Sequence, residues 1–244
     1  MPRLTFIFFF CLLPGISLQA QFHFFGIIED KDGFVNVRND NKKIIDKLTE
    51  NHVFFDWNSL NYPDSEWHDI VYGAEAGITR QNSHSTNTKD GQIHKSRIRY
   101  LEDLPHVKLK ESTANRIVFA NDTVSVEIRM QKFRPEKHKF VRDKENNFIK
   151  TIDGVTDYWG TDGTIPRKEY VSITIRHVNG KVLEFPQEYL SHLYEPSEDY
   201  HQVSIGKNNT LFIQTLNGDG AGGYCLVWTI KDYQVKNQLV VRGF

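Results

Sequence analysis

The chain has 244 residues, 39% of them hydrophobic, and its 30 Lys and Arg nearly balance 31 Asp and Glu. That balance removes the electrostatic case for nucleic acid, which needs a basic face. With only 2 cysteines the chain is no disulfide-stapled scaffold, and stability must come from a core that a chain of this length can bury.

Residues 1–20, MPRLTFIFFFCLLPGISLQA, read as a secretory signal peptide. Arg3 gives the positive start, Leu4 to Leu13 the apolar run, Pro14 and Gly15 the break, and Ala20 the small residue at the cut. The run is too short to span a bilayer comfortably. Phe8, Phe9 and Phe10 stand where a lipoprotein signal needs small residues before Cys11. The expectation is cleavage after Ala20 and an exported protein, periplasmic, surface-bound or secreted, with no membrane attachment afterwards. Cys11 leaves with the leader, so Cys225 is alone and no intramolecular disulfide forms.

Short β-rich runs follow. Phe34 to Arg38 alternates, Ile44 to Leu48 and Val53 to Trp57 are apolar, Trp67 to Tyr72 is a fourth run and Gly91 to Ile98 a fifth. Asn39-Asp40-Asn41 is a turn cluster. This density of short strands suggests a small barrel over residues 22–103. Residues 73–90 are polar and without period, and read as a mobile surface loop.

The order of pieces resembles the bacterial SH3-like domain over residues about 27–101. Gly33 to Arg38 matches its G-x-V-N-V-R strand, Ile44 to Leu48 its I-I-x-x-L strand, Trp67 to Val71 its W-x-x-V strand, and Gly91 to Ile98 its closing G-x-I-H-x-S-R-I. Asn39-Asp40-Asn41 replaces the family's Ser-Gly-Pro-type turn. The resemblance implies binding of cell-wall peptides, glycans or another protein, and no catalysis. Aromatic rings on such a barrel can line a groove for an extended ligand. Trp57, Tyr62 and Trp67 are the candidates; the alternative is that these rings fill the small core.

Glu102 to Pro105 reads as a connector. Beyond it, over residues 107–244, Val124, Val126, Ile128 and Met130 alternate with polar residues, as do Val171, Ile173 and Ile175. Leu226, Trp228 and Ile230 form one face of a strand. Such period-2 patterns bury one face. Phe133 to Asn147 is charged and reads as an exposed hairpin or loop. Pro186 to Tyr194 is the best helix, of about two turns. The expected architecture is all-β: a small SH3-like barrel, then an antiparallel sandwich or open barrel with one short helix.

Two turns stand out, Tyr158 to Pro166 and Asn217 to Tyr224. With Leu193 to Pro196 and the ending Val241 to Phe244 they resemble an uncharacterised exported bacterial β-rich module, which brings no activity with it. Asn217 and Asp219 are spaced like calcium ligands, but Ala221 and Trp228 occupy later ligand positions, so the local motif fails. A composite calcium site from Asp153, Asp157, Asp162 and Asp219 requires the two turns to meet, with Asp162 and Asp219 as its central carboxylates. Otherwise the glycines supply positive-φ turns. His177, His192 and His201 lack zinc-ligand spacing. Cys225 lies inside a strand with no His after it, and reads as an inert buried thiol rather than a nucleophile. Neither G-x-S-x-G nor H-E-x-x-H occurs.

The sequence therefore favours an exported, non-enzymatic binding protein without cofactor, acting through Trp57, Tyr62, Trp67 and the 73–90 loop. The alternatives are a hydrolase or metal-dependent enzyme at the Asp/Gly-rich turns, and an inhibitor or immunity-type protein.

Overall fold

The computed structural model describes residues 24–81, 87–218 and 220–242, with Leu60 by its backbone alone. The expected signal peptide, Asp219 and the ending Gly243-Phe244 lie outside the described residues. The protein is all-β, and its one α-helix among the described residues, Asn58–Asn61, is a single turn. No helix there is long and apolar enough to cross a membrane.

The strands are β1 (Phe25–Ile28), β2 (Phe34–Arg38), β3 (Ile44–Thr49), β4 (Val53–Asp56), β5 (Trp67–Tyr72), β6 (Gly77–Arg80), β7 (Lys89–His94), β8 (Ile98–Tyr100), β9 (Leu109–Thr113), β10 (Arg116–Ala120), β11 (Val124–Lys132), β12 (Phe140–Arg142), β13 (Ile149–Ile152), β14 (Lys168–His177), β15 (Val182–Glu184), β16 (Gln202–Ile205), β17 (Leu211–Asn217), β18 (Tyr224–Lys231) and β19 (Gln234–Arg242). They form a first sheet ordered β3-β2-β7-β5-β4-β1-β8, a central sheet β16-β17-β18-β19-β6, an outer sheet β15-β14-β11-β10-β9 and a ribbon β12-β13. None of the four closes on itself.

The sheets stack in layers. On β17, β18 and β19 one set of side chains, including Ile213, Leu226, Trp228 and Val240, meets Ile117, Val126, Ile128 and Ile173 of the outer sheet. The alternate set, Phe212, Cys225, Val227, Leu239 and Val241, meets Phe25, Val53, Phe55 and Val71 of the first sheet. A strand covered on both faces needs no polar alternation. This is why Tyr224 to Ile230 are all buried, where the sequence led us to expect one buried face. The first sheet curls its other face around Val37, Leu48, Phe54, Ile70 and Ile93.

Several expectations are corrected. Residues 77–80, inside the expected mobile loop, form β6 and pair in parallel with β19 from Asn237↔Gly77 to Val240↔Arg80. In the 102–105 connector Leu104, with Leu101 just before it, packs into the core between the first and central sheets. The expected two-turn helix at 186–194 is a single 3-10 turn, Gln187–Tyr189, and left-handed backbone at His192 and Glu195 prevents its continuation. On β14 the register against β11 slips between Arg129 and Met130. The extra residue in the bulge, Val171, turns outward at 40% exposure and Tyr170 takes the core position. β11 alternates as its sequence predicts. The charged 133–147 stretch carries β12, hairpinned to β13.

Cys225 lies wholly buried between two layers, and burial pushes its thiol pKa up. We expect a thiol reagent to leave native protein unmodified and to label it fully in denaturant. Rapid labelling of the native protein would contradict the sealed joint.

Candidate functional site

The two glycine turns meet. A three-residue strap, Leu193-Tyr194-Glu195, follows the left-handed His192 and pins both. Trp159 N–H donates to His192 O and Tyr194 N–H to Trp159 O, each at 2.9 Å, while Gly218 N–H donates to Glu195 O at 3.0 Å. Glycine is required at the seam. Gly160 has φ of 107°, and a Cβ there would overlap the Tyr194 carbonyl. A Cβ on Gly222 would lie 2.9 Å from the Thr161 backbone, so the turns are in main-chain contact.

Between them opens a cleft of about 550 Å³, lined by Asp157, Tyr158, Trp159, Asp162, Gly222 and Gly223, with Lys150, Gln81 and Arg242 at its sides. Gln81 follows β6, and its Oε1 accepts from Arg242 N–H at 3.1 Å. The segment expected to be a loop thus helps build the wall. Arg80 is anchored beneath it through Nε to Gln238 Oε1 at 3.1 Å. Burial pushes the Arg80 pKa down and the charge of Asp157 opposes that shift. Lys150 pairs with Asp143 at 2.7 Å.

Buried hydrogen bonds support the floor. Asn217 donates through Nδ2 to Tyr170 OH at 2.9 Å and Tyr224 OH at 3.1 Å. Its Oδ1 accepts from Ser197 N–H at 2.9 Å and Thr215 Oγ1 at 3.1 Å. Tyr224 OH continues to Tyr194 O at 3.0 Å, which joins the second turn to the strap.

The rings chosen from sequence have separate neighbours. Trp57 packs edge-on against Phe55, at 4.9 Å between centroids, on the rim of the core between the first and central sheets. Trp67 stands edge-on to His94, and Lys42 Nζ sits 4.2 Å from its ring centre. Tyr62 is 70% exposed. No two of the three stack on one another.

Other chemistry-bearing groups are tied into structure. Asp56 Oδ2 accepts from His68 Nδ1 and from Tyr100 OH, both at 2.7 Å. Such a pair can orient a general base, but here Asp56 and His68 are sealed at 1% and 2% exposure and His68 Nε2 touches no hydroxyl or thiol. His201 bonds to Tyr170 OH at 2.9 Å and its pKa is pushed down to about 4 by burial. His177 packs on the Tyr233 ring, away from His201's partners. Among the described residues no three His, Cys, Asp or Glu form a group able to hold a metal ion. Asp162 does face the second turn, where a Cβ on Gly220 would lie 3.8 Å from its Oδ2. Comparison with protein-family models, curated proteins and solved structures returned no match.

Sequence reasoning missed the cleft as a cleft. The two turns and the strap were visible as motifs, but their meeting depends on left-handed backbone at His192 and Glu195, on either side of Leu193-Tyr194, that no local pattern announces.

Proposed function

We propose that this is an exported, non-enzymatic binding protein whose recognition site is the cleft between the glycine turns. The observation that carries this reading is the main-chain contact of the two turns, which holds an aromatic wall and charges of both signs around one opening. Side-chain-free glycine backbone lets a ligand approach N–H and C=O groups directly. Tyr158 offers a face for a sugar ring, while Arg242 and Asp157 suit a ligand's carboxylate and amine. A cell-wall peptide–glycan fragment combines all three features. A protein partner presenting the same groups is the alternative ligand.

The test is retention of the protein by insoluble peptidoglycan. Tyr158→Ala and Arg242→Ala should each weaken retention by about tenfold, the size of one good interface contact, with Trp67→Ala as the comparison for a site on the first sheet. Loss in Trp67→Ala alone would move the site to that sheet. No retention of the unaltered protein would end the wall-binding reading. Because Asp157 and Asp162 share the cleft, a hydrolase is the second reading. Release of soluble sugar or peptide during the same incubation would replace binding with catalysis.

A further inference from the structure

A second cavity, of about 340 Å³, opens where the first and central sheets part. Its composition follows from the strands that form it. On β18 the side chains turned to the first sheet run Val227, Thr229, Lys231, from dry core to charge. On β19 the register against β18 shifts, so that Thr229 faces Asn237 while Ile230 already faces Val235. Lys236 is the extra residue of that bulge, and it lines the cavity beside Asn237. The central sheet thus brings two lysines to one opening.

The first-sheet side is acidic. Glu50 follows β3, and Glu75 lies between β5 and β6. Glu75 Oε1 accepts from Thr49 Oγ1, which holds it against β3. Asn237 Nδ2 donates to Ala74 O at 2.7 Å, which ties the preceding backbone to β19. Glu50 Oε1 is already paired with Lys207 Nζ at 3.1 Å. His52 Nε2 bonds Gly73 O at 3.1 Å, and burial pushes the His52 pKa down, so it is no cation for Glu75 at neutral pH. Among the described residues Glu75 has no cationic partner, and Lys231 and Lys236 have no carboxylate partner. Lys236 Nζ donates to Gln234 Oε1 at 2.7 Å. Asp232, in the turn between β18 and β19, is exposed. Val53, Ala74 and Ala76 supply the apolar part of the lining.

We infer that this inter-sheet cavity binds a free dipeptide with small side chains, its carboxylate on Lys231 and Lys236 and its ammonium on Glu75. Charge decides the class. An anion alone would meet Glu75 and a cation alone would meet the two lysines, whereas a ligand carrying both signs finds a partner on each wall. A neutral ligand would leave the charges unanswered. Because the acid and the lysines belong to opposite walls, the ligand's two charges must be set apart. A free amino acid carries both on one carbon, and a dipeptide separates them by a peptide unit. The volume lies at the small end of organic ligand sites, and the alanines and valine offer no aromatic slot. The cavity shares no lining residue with the glycine-turn cleft, and its occupancy does not depend on that site.

The experiment is titration of the protein with alanyl-alanine, N-acetyl-alanyl-alanine and alanyl-alanine amide, read by calorimetry and thermal shift. The free dipeptide should bind saturably and raise the melting temperature. The acetylated form lacks the ammonium and the amide lacks the carboxylate, and each should bind about tenfold or more weakly than the free form. Lys231→Gln and Lys236→Gln should each weaken the free dipeptide by a similar factor. Glu75→Gln should bind the free and acetylated forms alike. Arg242→Ala, in the other cleft, should leave this binding intact. Absence of saturable binding by the unaltered protein would overturn the inference, as would blocked forms that bind as well as the free one. So would binding that both lysine variants retain in full. Loss of binding in Arg242→Ala would place the dipeptide in the glycine-turn cleft, and also overturn it.

Discussion

Asn217→Ala is expected to cost about 3 kcal/mol of stability, a fall of roughly 6–12 °C in melting temperature for a chain of this size. The magnitude follows from what each partner loses. Tyr170 OH keeps His201 Nε2 and Tyr224 OH keeps Tyr194 O, so the hydroxyls are not stranded. Ser197 N–H loses Asn217 Oδ1, and the Thr215 hydroxyl is left with only the longer 3.4 Å bond to Leu216 O, so the losses are worth about 1–3 kcal/mol for the amide and less for the hydroxyl. Asn217→Asp keeps the acceptor and loses the two donated bonds, while adding a buried charge. It should therefore also destabilise, most strongly where the carboxyl ionises. Because Asn217 opens the second glycine turn, Asn217→Ala should weaken ligand retention more than its surface neighbours do. Denaturant melts of the variants measure the first effect. A loss under 1 kcal/mol for Asn217→Ala would show that the network does not hold the turn.

How far the sequence could have led depends on where each segment's neighbours come from. β11 was legible because its partners cover one face and leave the other to solvent, so Val124, Val126, Ile128 and Met130 alternate cleanly. β14 reads the same by eye, yet a bulge on β14 itself moves Val171 outward, and nothing in the local alternation announces the extra residue. β18 hides its second buried face because Cys225 and Val227 face a layer contributed by residues some 150–200 positions earlier in the chain. β6 is the extreme case. Gly77 to Arg80 has neither length nor period to announce a strand, and becomes one only because β19 offers an unpaired edge. The candidate site divides the same way. The glycines of both turns were visible as backbone signals, whereas Gln81 and Arg242 reach the same cleft only because β6 is carried to the edge of β19.

Glu102 should give the protein a pH-dependent stability that its Gln variant lacks. It is 7% exposed at the joint between the first and central sheets, with Oε1 accepting from Gln214 Nε2 at 2.8 Å. Burial pushes its pKa up to about 7, with the nearby Asp103 charge adding to the rise and hydrogen bonds opposing it. A carboxyl that holds its proton in the fold and loses it in the unfolded chain makes the folded state bind more protons between those two pKa values. Stability from this group is therefore full below about pH 4.5, and falls as pH rises to about 7, by roughly 3 kcal/mol in all. His201 works in the opposite sense. Its folded pKa is lowered to about 4, so the unfolded chain binds the extra proton and stability rises with pH from about 4 to 6.5. The two slopes oppose each other over most of that range, and a melt of the unaltered protein alone would show a muted profile. The difference between Glu102→Gln and the unaltered protein isolates the carboxyl, because both proteins carry His201. That difference should grow in favour of the variant from pH 5 to pH 8. A difference independent of pH would mean that Glu102 is ionised in the fold throughout, and that water reaches the joint.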